Sequence, residues 1–471
     1  MLYFQLVVFC VVFMKVSLVV GAVAVGLVLS IPVFKYCSDN VQPIKDIPII
    51  KNINFSNYEL DLKELSIPNL PNSIWFVSTK NSSFCVSIRF KNAGLIKYSK
   101  QDQAALSLIE DTLFDGAGKY TATGLKKLLD DNSIFINIFH NMDDVIVSCY
   151  STVSNFHLAM IVLRDILYSA HLNEKKININ RQNQKENLIQ SKEKPKNIAE
   201  DEIEKLEYGA DSPYYVSIDE QIQNLDSCTQ STIKNVYQGM FLPADAVISI
   251  AGNLNEDEIK KEILNLFANL KDKTFSGHVN KIQKQRELAC AGKIVHKHTK
   301  DPQIVVRFSH PAIDITNSDI YALEMGMRIL CTGMTSRLFK AIREKQGLTY
   351  SIPCGLNHNS VLSKISGSAT TSPDKCEQLI KSIKEQFDLI KNITEEELEA
   401  QKISMMASDS LTSPDKITSF LSSCRYRSIP INEVNSYMQH YYNLTVNDII
   451  NAMKKYISSE KIIFVTVGGK K

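Results

Sequence analysis

From residue 73 onward the apolar positions follow two periods, and the switches between them mark the elements. Ser73–Ser78 and Phe84–Phe90 are short apolar runs that predict strands, with Asn81–Ser83 as a turn. Leu106, Ile109 and Leu113 repeat at helical spacing, predicting a helix over 103–113 that Phe114–Gly118 stops. A second helix is predicted over 123–129, then strands at Phe135–Phe139 and Val145–Tyr150 around the polar turn Asn141–Asp144. A long helical region follows over 155–206, broken near Asn173 and Pro195. Val247–Ala251 predicts a strand closed by Gly252, and Glu256–Leu270 an amphipathic helix. Upstream, Asp39–Asn72 is rich in Asn, Pro and Ile without periodicity and predicts an irregular lead-in.

After a polar connector the order recurs. Ile304–Phe308 predicts a strand, Ile320–Leu330 and Ser336–Gln346 helices, and Leu348–Pro353 and Lys364–Ala369 strands. Cys376–Lys391 and Glu395–Phe420 predict helices, and Ile462–Val467 a last strand closed by Gly468. Asn224-Leu225 predicts the opening of a helix leading to VISIAG at 247–252, and Asn443-Leu444 that of one leading to IFVTVG at 463–468. These landmarks lie about 216–219 residues apart, which predicts a duplicated α+β unit with strands clustered and helices on one face.

The first 34 residues follow neither period. Their only charge is Lys15, and Val16–Phe34 is an uncharged run that as a helix spans roughly 28 Å, close to the thickness of a bilayer core. Lys15 on the cytoplasmic side directs the rest of the chain across the membrane. Met14 offers a second possible start, and Ala22-Val23-Ala24 a possible cleavage site, so anchor and cleaved signal both stand. The predicted organisation is a signal or anchor segment 1–36, a lead-in 37–52, a first domain 53–270, a linker 271–292 and a second domain 293–471. At 471 residues, 44% hydrophobic and 22% charged, the body is ordinary for a folded protein. A net charge of +2 gives no footprint for nucleic acid. The ten cysteines contain no CxxC pair; export permits disulfides, but spacing assigns none.

Candidate chemistry concentrates in Met334–Ile352. Leu338 and Ile342 share a helix face, Thr335 or Ser336 can cap the start, and Gly347 suits a left-handed closing residue. Arg343 lies in the last turn and Tyr350 seven residues on. A guanidinium and a phenol on rigid elements can hold a peptide carbonyl, although a cation there also complements the helix dipole and a tyrosine packs.

This stretch, MTSRLF followed by IREKQGLTY, resembles the M16 metallopeptidases, including pitrilysin, insulin-degrading enzyme, the mitochondrial processing peptidase and the core subunits of respiratory complex III. The resemblance runs over roughly residues 50 to 470 and implies two duplicated domains, each a mainly antiparallel sheet with helices on one face. It implies that Arg343 and Tyr350, beside a glycine-rich turn kept only as Gly333, grip the substrate backbone. Active members carry HxxEH on the first helix, two histidines and a distal glutamate holding Zn²⁺ while the motif glutamate activates water. Aligned on Leu113-Phe114-Asp115-Gly116, the motif here is Ser107-Leu108-Ile109-Glu110-Asp111, and the distal ligand falls near Glu186-Asn187. Glu110 stands where the catalytic glutamate would, but Ser107 and Asp111 replace both histidines, and a serine hydroxyl is a poor zinc ligand.

The resemblance therefore implies a zinc-free chain with no catalytic residue of its own: the substrate-binding subunit of a heterodimeric metallopeptidase acting on peptides or unfolded proteins. Zn²⁺ sits on a homologous partner, and the pair works in the periplasm, anchored or free. Two other expectations remain: a structural core-protein homologue without proteolytic role, and a metallopeptidase with altered ligands. His171-Leu172-Asn173-Glu174 and the pair His296 and His298 lack further ligands nearby, and HExxH, a G-x-S-x-G elbow and a P-loop are absent.

Overall fold

The computed structural model describes residues 59–469, apart from 69, 72, 269–287, 289 and 409–410. The signal or anchor segment, the lead-in 37–52 and most of the linker 271–292 lie outside the described residues. No helix among the described residues is long and apolar enough to cross a membrane.

The first sheet contains β1 (Leu62–Leu65), β2 (Ile74–Ser78), β3 (Ser83–Phe90), β4 (Phe135–His140), β5 (Val145–Thr152) and β6 (Ala246–Gly252) in the order β1-β2-β6-β3-β5-β4. The second contains β7 (Ile294–Lys297), β8 (Ile304–Pro311), β9 (Cys354–His358), β10 (Ser363–Thr371) and β11 (Ile463–Gly468) in the order β7-β11-β8-β10-β9. Without β1 the two orders are the same. In both, the first strand runs parallel to the last and the remaining pairs are antiparallel. Even the closing residue repeats: Gly252 sits opposite Phe84 and Gly468 opposite Ile304, at φ +157° and +133°. A side chain on Gly468 would lie 1.9 Å from the Gln303 carbonyl oxygen. The duplicated α+β fold read from the sequence is present.

Helices α1 (Lys100–Glu110), α2 (Ala122–Asp131), α3 (Phe156–Tyr168), α4 (Glu174–Ser191), α5 (Pro195–Tyr208), α6 (Ile218–Ser227), α7 (Gln230–Met240) and α8 (Glu256–Leu266) belong to the first half. The second half has α9 (Ile320–Cys331), α10 (Cys376–Leu389), α11 (Glu395–Ser408), α12 (Pro414–Tyr426) and α13 (Val446–Tyr456). Phe84, Val86, Ile88 and Phe90 of β3 pack with Leu106, Ile109 and Val162 in a core on one face of the first sheet. The opposite face is covered too. Trp75, Val77 and Ala251 belong to the same core as Ile417, Leu421 and Cys424 of α12. Reciprocally, Ala199, Ile203 and Leu206 of α5 pack with Ile463, Val465 and Val467 on the back of the second sheet. Each half lends one helix to the other, so β6 and β11 are buried on both faces and read as continuous apolar runs. The exchange also explains why Asn54–Lys471 forms one compact unit.

Polar contacts secure it. Arg425 of α12 donates to the Ser73 and Ile248 carbonyls at 2.7 and 3.0 Å and stacks on Trp75. Asp143 accepts from the Ser360 amide and hydroxyl and from Tyr426. Lys364 of β10 pairs with the fully buried Glu207 of α5.

Several predicted elements are corrected. Leu348–Pro353 is not a strand, because Leu348 N–H bonds back to Ile342 and the Thr349 hydroxyl to the Thr370 carbonyl; the strand starts at Cys354. The helix predicted over 395–420 is two helices, with Pro414 opening the second. β1 stands within the segment 39–72 whose pattern predicts an irregular lead-in, and β6 lies between β2 and β3. Asn224-Leu225 falls late in α6, and the matched helix openings are instead the capping residues Thr229 and Thr445.

Candidate functional site

Phe339–Lys345 forms a π-helical turn, a wide winding often found where a helix serves function. Leu338 and Ile342 are fully buried, and Gly347 at φ +58° turns the chain out of it. Arg337 anchors the turn with its whole guanidinium, gripping both carboxylate oxygens of Glu397 and the Leu389 and Asn392 carbonyls, all at 2.7 Å. A disulfide between Cys331 and Cys354 closes the segment that contains it.

Arg343 is different. Its guanidinium lies between the Phe339 ring at 4.7 Å and the Tyr350 ring at 4.3 Å, and makes no hydrogen bond or ion pair among the described residues. Stacking fixes the plane while leaving its five N–H donors unused. Tyr350 is 80% exposed. The two residues singled out from the sequence are thus brought together, with Phe339 as a third member. Tyr350 lies on an irregular segment, not on a strand.

The degenerate motif lies on α1, whose start Ser99 caps by accepting from the Asp102 amide. Ser107 lines a cavity of about 290 Å³ with His140, Gln184, Glu204 and Asn224. Glu110 lies 2.8 Å from His140 Nδ1 of β4, both atoms shut off from solvent. Asp111 is exposed and accepts from the Gln184 amide at 2.7 Å. Asn180 and Gln184 are one helical turn apart on the face of α4 toward α1. Asn180 and Gln184, rather than Glu186-Asn187, are therefore the α4 side chains that meet the motif: both of the latter are exposed, and Glu186 instead accepts from Gln182.

A hydroxyl, a carboxylate held against an imidazole, a carboxylate held by an amide and a neutral amide do not fit Zn²⁺. Among the described residues no three His, Cys, Asp or Glu side chains are grouped to hold a metal. His171 contacts the Gly118 carbonyl, and His296 and His298 contact each other. No hydrogen bond, ion pair or ring contact links the Ser107–Asp111 group to Arg343 and Tyr350 among the described residues. His140, Gln184, Glu204 and Phe339 were not legible as site residues, since all but Phe339 meet the motif only through long-range packing.

Burial pushes the Glu204 carboxyl up to about 7, against the attraction of Lys364, with Glu200, Glu207 and Asp201 adding to the rise. A carboxyl raised in the folded state binds its proton more tightly there, so its contribution to stability falls as pH rises from about 4.5 to about 7. Glu204→Gln is expected to remove that fall. Urea unfolding at pH 8 then gains on the wild type by on the order of 3 kcal/mol at most, with no gain at pH 4.5. The same pH dependence in both proteins would overturn it.

The family model described as "Peptidase M16 inactive domain" matches residues 227–405. The chain is 24% identical over 378 residues to an uncharacterized zinc protease of Rickettsia felis, covering 77% of this chain and 87% of the relative. It is 22% identical over 396 residues to a protein of Helicobacter pylori named "Non-peptidase homolog YmxG", covering 82% and 89%. Among solved structures, a peptidase M16 inactive domain from Pseudomonas fluorescens superposes with a TM-score of 0.78 at 21% identity, over 88% of this chain and 99% of that one. A protease from Helicobacter pylori gives 0.77 at 17%, over 87% and 100%.

Proposed function

We propose, for a chain that shares the M16 peptidase fold and carries that family's inactive domain, the role of a zinc-less substrate-binding subunit working beside a homologous zinc-bearing partner. The observation that carries the proposal is the Arg343 guanidinium, stacked between Phe339 and the exposed Tyr350 with its donors unpaired. Such a group takes a backbone carbonyl of an extended peptide through charge-assisted hydrogen bonds. The edge strand β4 supports the same reading. Its outer backbone groups lie unpaired within the sheet, Phe135 and Phe139 are 64% and 41% exposed, and its last residue is His140, which contacts Glu110 of the degenerate motif. An extended peptide can add to such an edge, its main chain supplying affinity.

The subunit binds and orients; Zn²⁺ and the base come from the partner, because Ser107, Glu110, Asp111 and Gln184 do not fit the metal. The apolar run Val16–Phe34 and the Cys331–Cys354 disulfide support export, as a membrane-anchored or free periplasmic protein. The name of the Helicobacter relative favours a second reading, a binding subunit with no part in proteolysis.

Cleavage of unfolded peptides by the mixed pair separates these. Arg343→Ala is expected to lower turnover about 10–100-fold, the weight of one charge-assisted hydrogen bond, and Tyr350→Ala less. The chain alone is expected to cleave nothing and to carry no stoichiometric zinc. Unchanged turnover in the Arg343→Ala pair would leave the binding-only role. Tightly bound zinc in the chain alone would restore the altered-ligand metallopeptidase.

A further inference from the structure

The duplication that repeats the strands also repeats the cavity. Lys100 and Ile320 open matched helices, α1 and α9, so Ala104 and Glu324, Ser107 and Met327, and Leu108 and Arg328 are matched positions. His140 pairs with Val145 and Leu356 with Ile365 at matched places in the two sheets. Ser107 and His140 line the cavity of the first half; Met327 and Leu356 line a cavity of about 580 Å³ in the second. The second half thus keeps the counterpart of the degenerate metal cleft, at twice its volume and with different chemistry.

Its walls divide by character. Met327, Met405 and Met438 are buried and, with Leu356, Leu411 and Phe420, present an apolar, adaptable surface. Glu324 is already satisfied: Arg427 binds it at 2.6 Å, Tyr441 donates to it, and Tyr437 hydrogen-bonds Tyr441 at 3.1 Å. Asp415 and Lys416, opposite in charge, are both exposed at the lining. Arg328 remains. It lies on the lining, its Nε is buried, and its guanidinium has no hydrogen-bond or ion-pair partner among the described residues. A buried guanidinium nitrogen without an acceptor is costly, and the matched residue in the first half, Leu108, carries no charge. A volume of this size suits a small ligand rather than a folded partner.

We propose that this cavity binds an apolar group ending in a carboxylate, with Arg328 taking the carboxylate and the methionine-rich wall the apolar part. A peptide's C-terminus with an apolar last residue and a free fatty acid share this chemistry. The site is independent of the Arg343 clamp, none of whose residues lines the cavity.

Calorimetric titration of the full chain tests it. The ligands are an N-acetylated peptide ending in Leu with a free carboxylate, the same peptide as its C-terminal amide, decanoate, and decanol. At least one acid is expected to bind about tenfold or more tighter than its neutral counterpart. Arg328→Gln is expected to abolish that preference. Preference for the peptide acid alone identifies a peptide terminus as the source, and preference for decanoate alone a fatty acid. The proposal is overturned if neither acid binds, if acid and neutral ligand bind alike, or if Arg328→Gln keeps the preference. The comparison between acid and neutral ligand is made on the native protein, so it does not depend on how well the variant folds.

Discussion

Lys364→Met is expected to destabilise the protein by about 3–5 kcal/mol, because it takes the ammonium away from a buried carboxylate in the seam between the halves. Glu207 is fully buried on α5, the helix that the first half lends to the second sheet, and the Lys364 ammonium of β10 reaches it there while lying 5.6 Å from the Tyr208 ring. Burial alone would lower the Lys364 pKa, but the summed attraction of Glu207, Tyr208 and Glu204 outweighs it and holds the pKa above the ordinary lysine value. A cation raised in this way contributes stability that is fully present below the unfolded lysine pKa, near 10.5, and is lost only as pH rises through the folded value. The penalty should therefore be undiminished across the neutral range. Glu207→Leu in the same chain should restore much of the loss, since removing both partners of a buried pair costs far less than removing one. Urea unfolding of the two single variants and the double variant checks this. A Lys364→Met protein within about 1 kcal/mol of the wild type would mean that the seam does not depend on the pair.

How far the sequence could be read depended on how local each determinant was. Asn173 and Pro195 broke the long helical region where the structure breaks it, because an Asn cap and a Pro in the first turn act within a few residues. VISIAG and IFVTVG were legible as strands; that they are central and buried on both faces required knowing that α5 and α12 cross between halves. The break between strands near Asn81–Ser83 is legible locally, whereas the insertion of β6 between β2 and β3 is not, since that order depends on a partner about 160 residues away. The site divides the same way. Gly347 and the Arg343–Tyr350 spacing are local and stood out, whereas the Gln184–Asp111 contact spans 73 positions and turns on which face of α4 meets α1. The extended segment 348–353 misled for a related reason: its apolar alternation suits a strand, yet its hydrogen bonds go to the helix end and to a side chain.

Replacing Cys331 and Cys354 by Ser is expected to cost roughly 3 kcal/mol, the closure entropy of a loop of this size. The bond joins residues 23 apart, the end of α9 and the start of β9, and the chain between them contains Phe339, Arg343 and Tyr350. Arg337 and Thr349 tether that segment as well, so the unbridged protein should still fold, but less stably and with a looser clamp. Reductant should reproduce the effect in the wild type and do nothing further to the double variant. The other described cysteines are free and mostly buried, and burial pushes the Cys85 thiol up to about 11 and that of Cys424 to about 12, which leaves them unreactive at neutral pH. Two readouts separate the consequences. Thermal or urea unfolding with and without reductant measures the stability term. Partner-dependent cleavage, at a temperature where both forms are folded, measures whether the loop must be closed for Arg343 to hold a carbonyl. A clamp that tolerates only small displacement should lose turnover on reduction even while the chain stays folded. If the reduced, folded protein supports the same turnover as the oxidised one, the π-helical turn and the Arg337 anchor suffice to position the clamp, and the disulfide contributes stability alone.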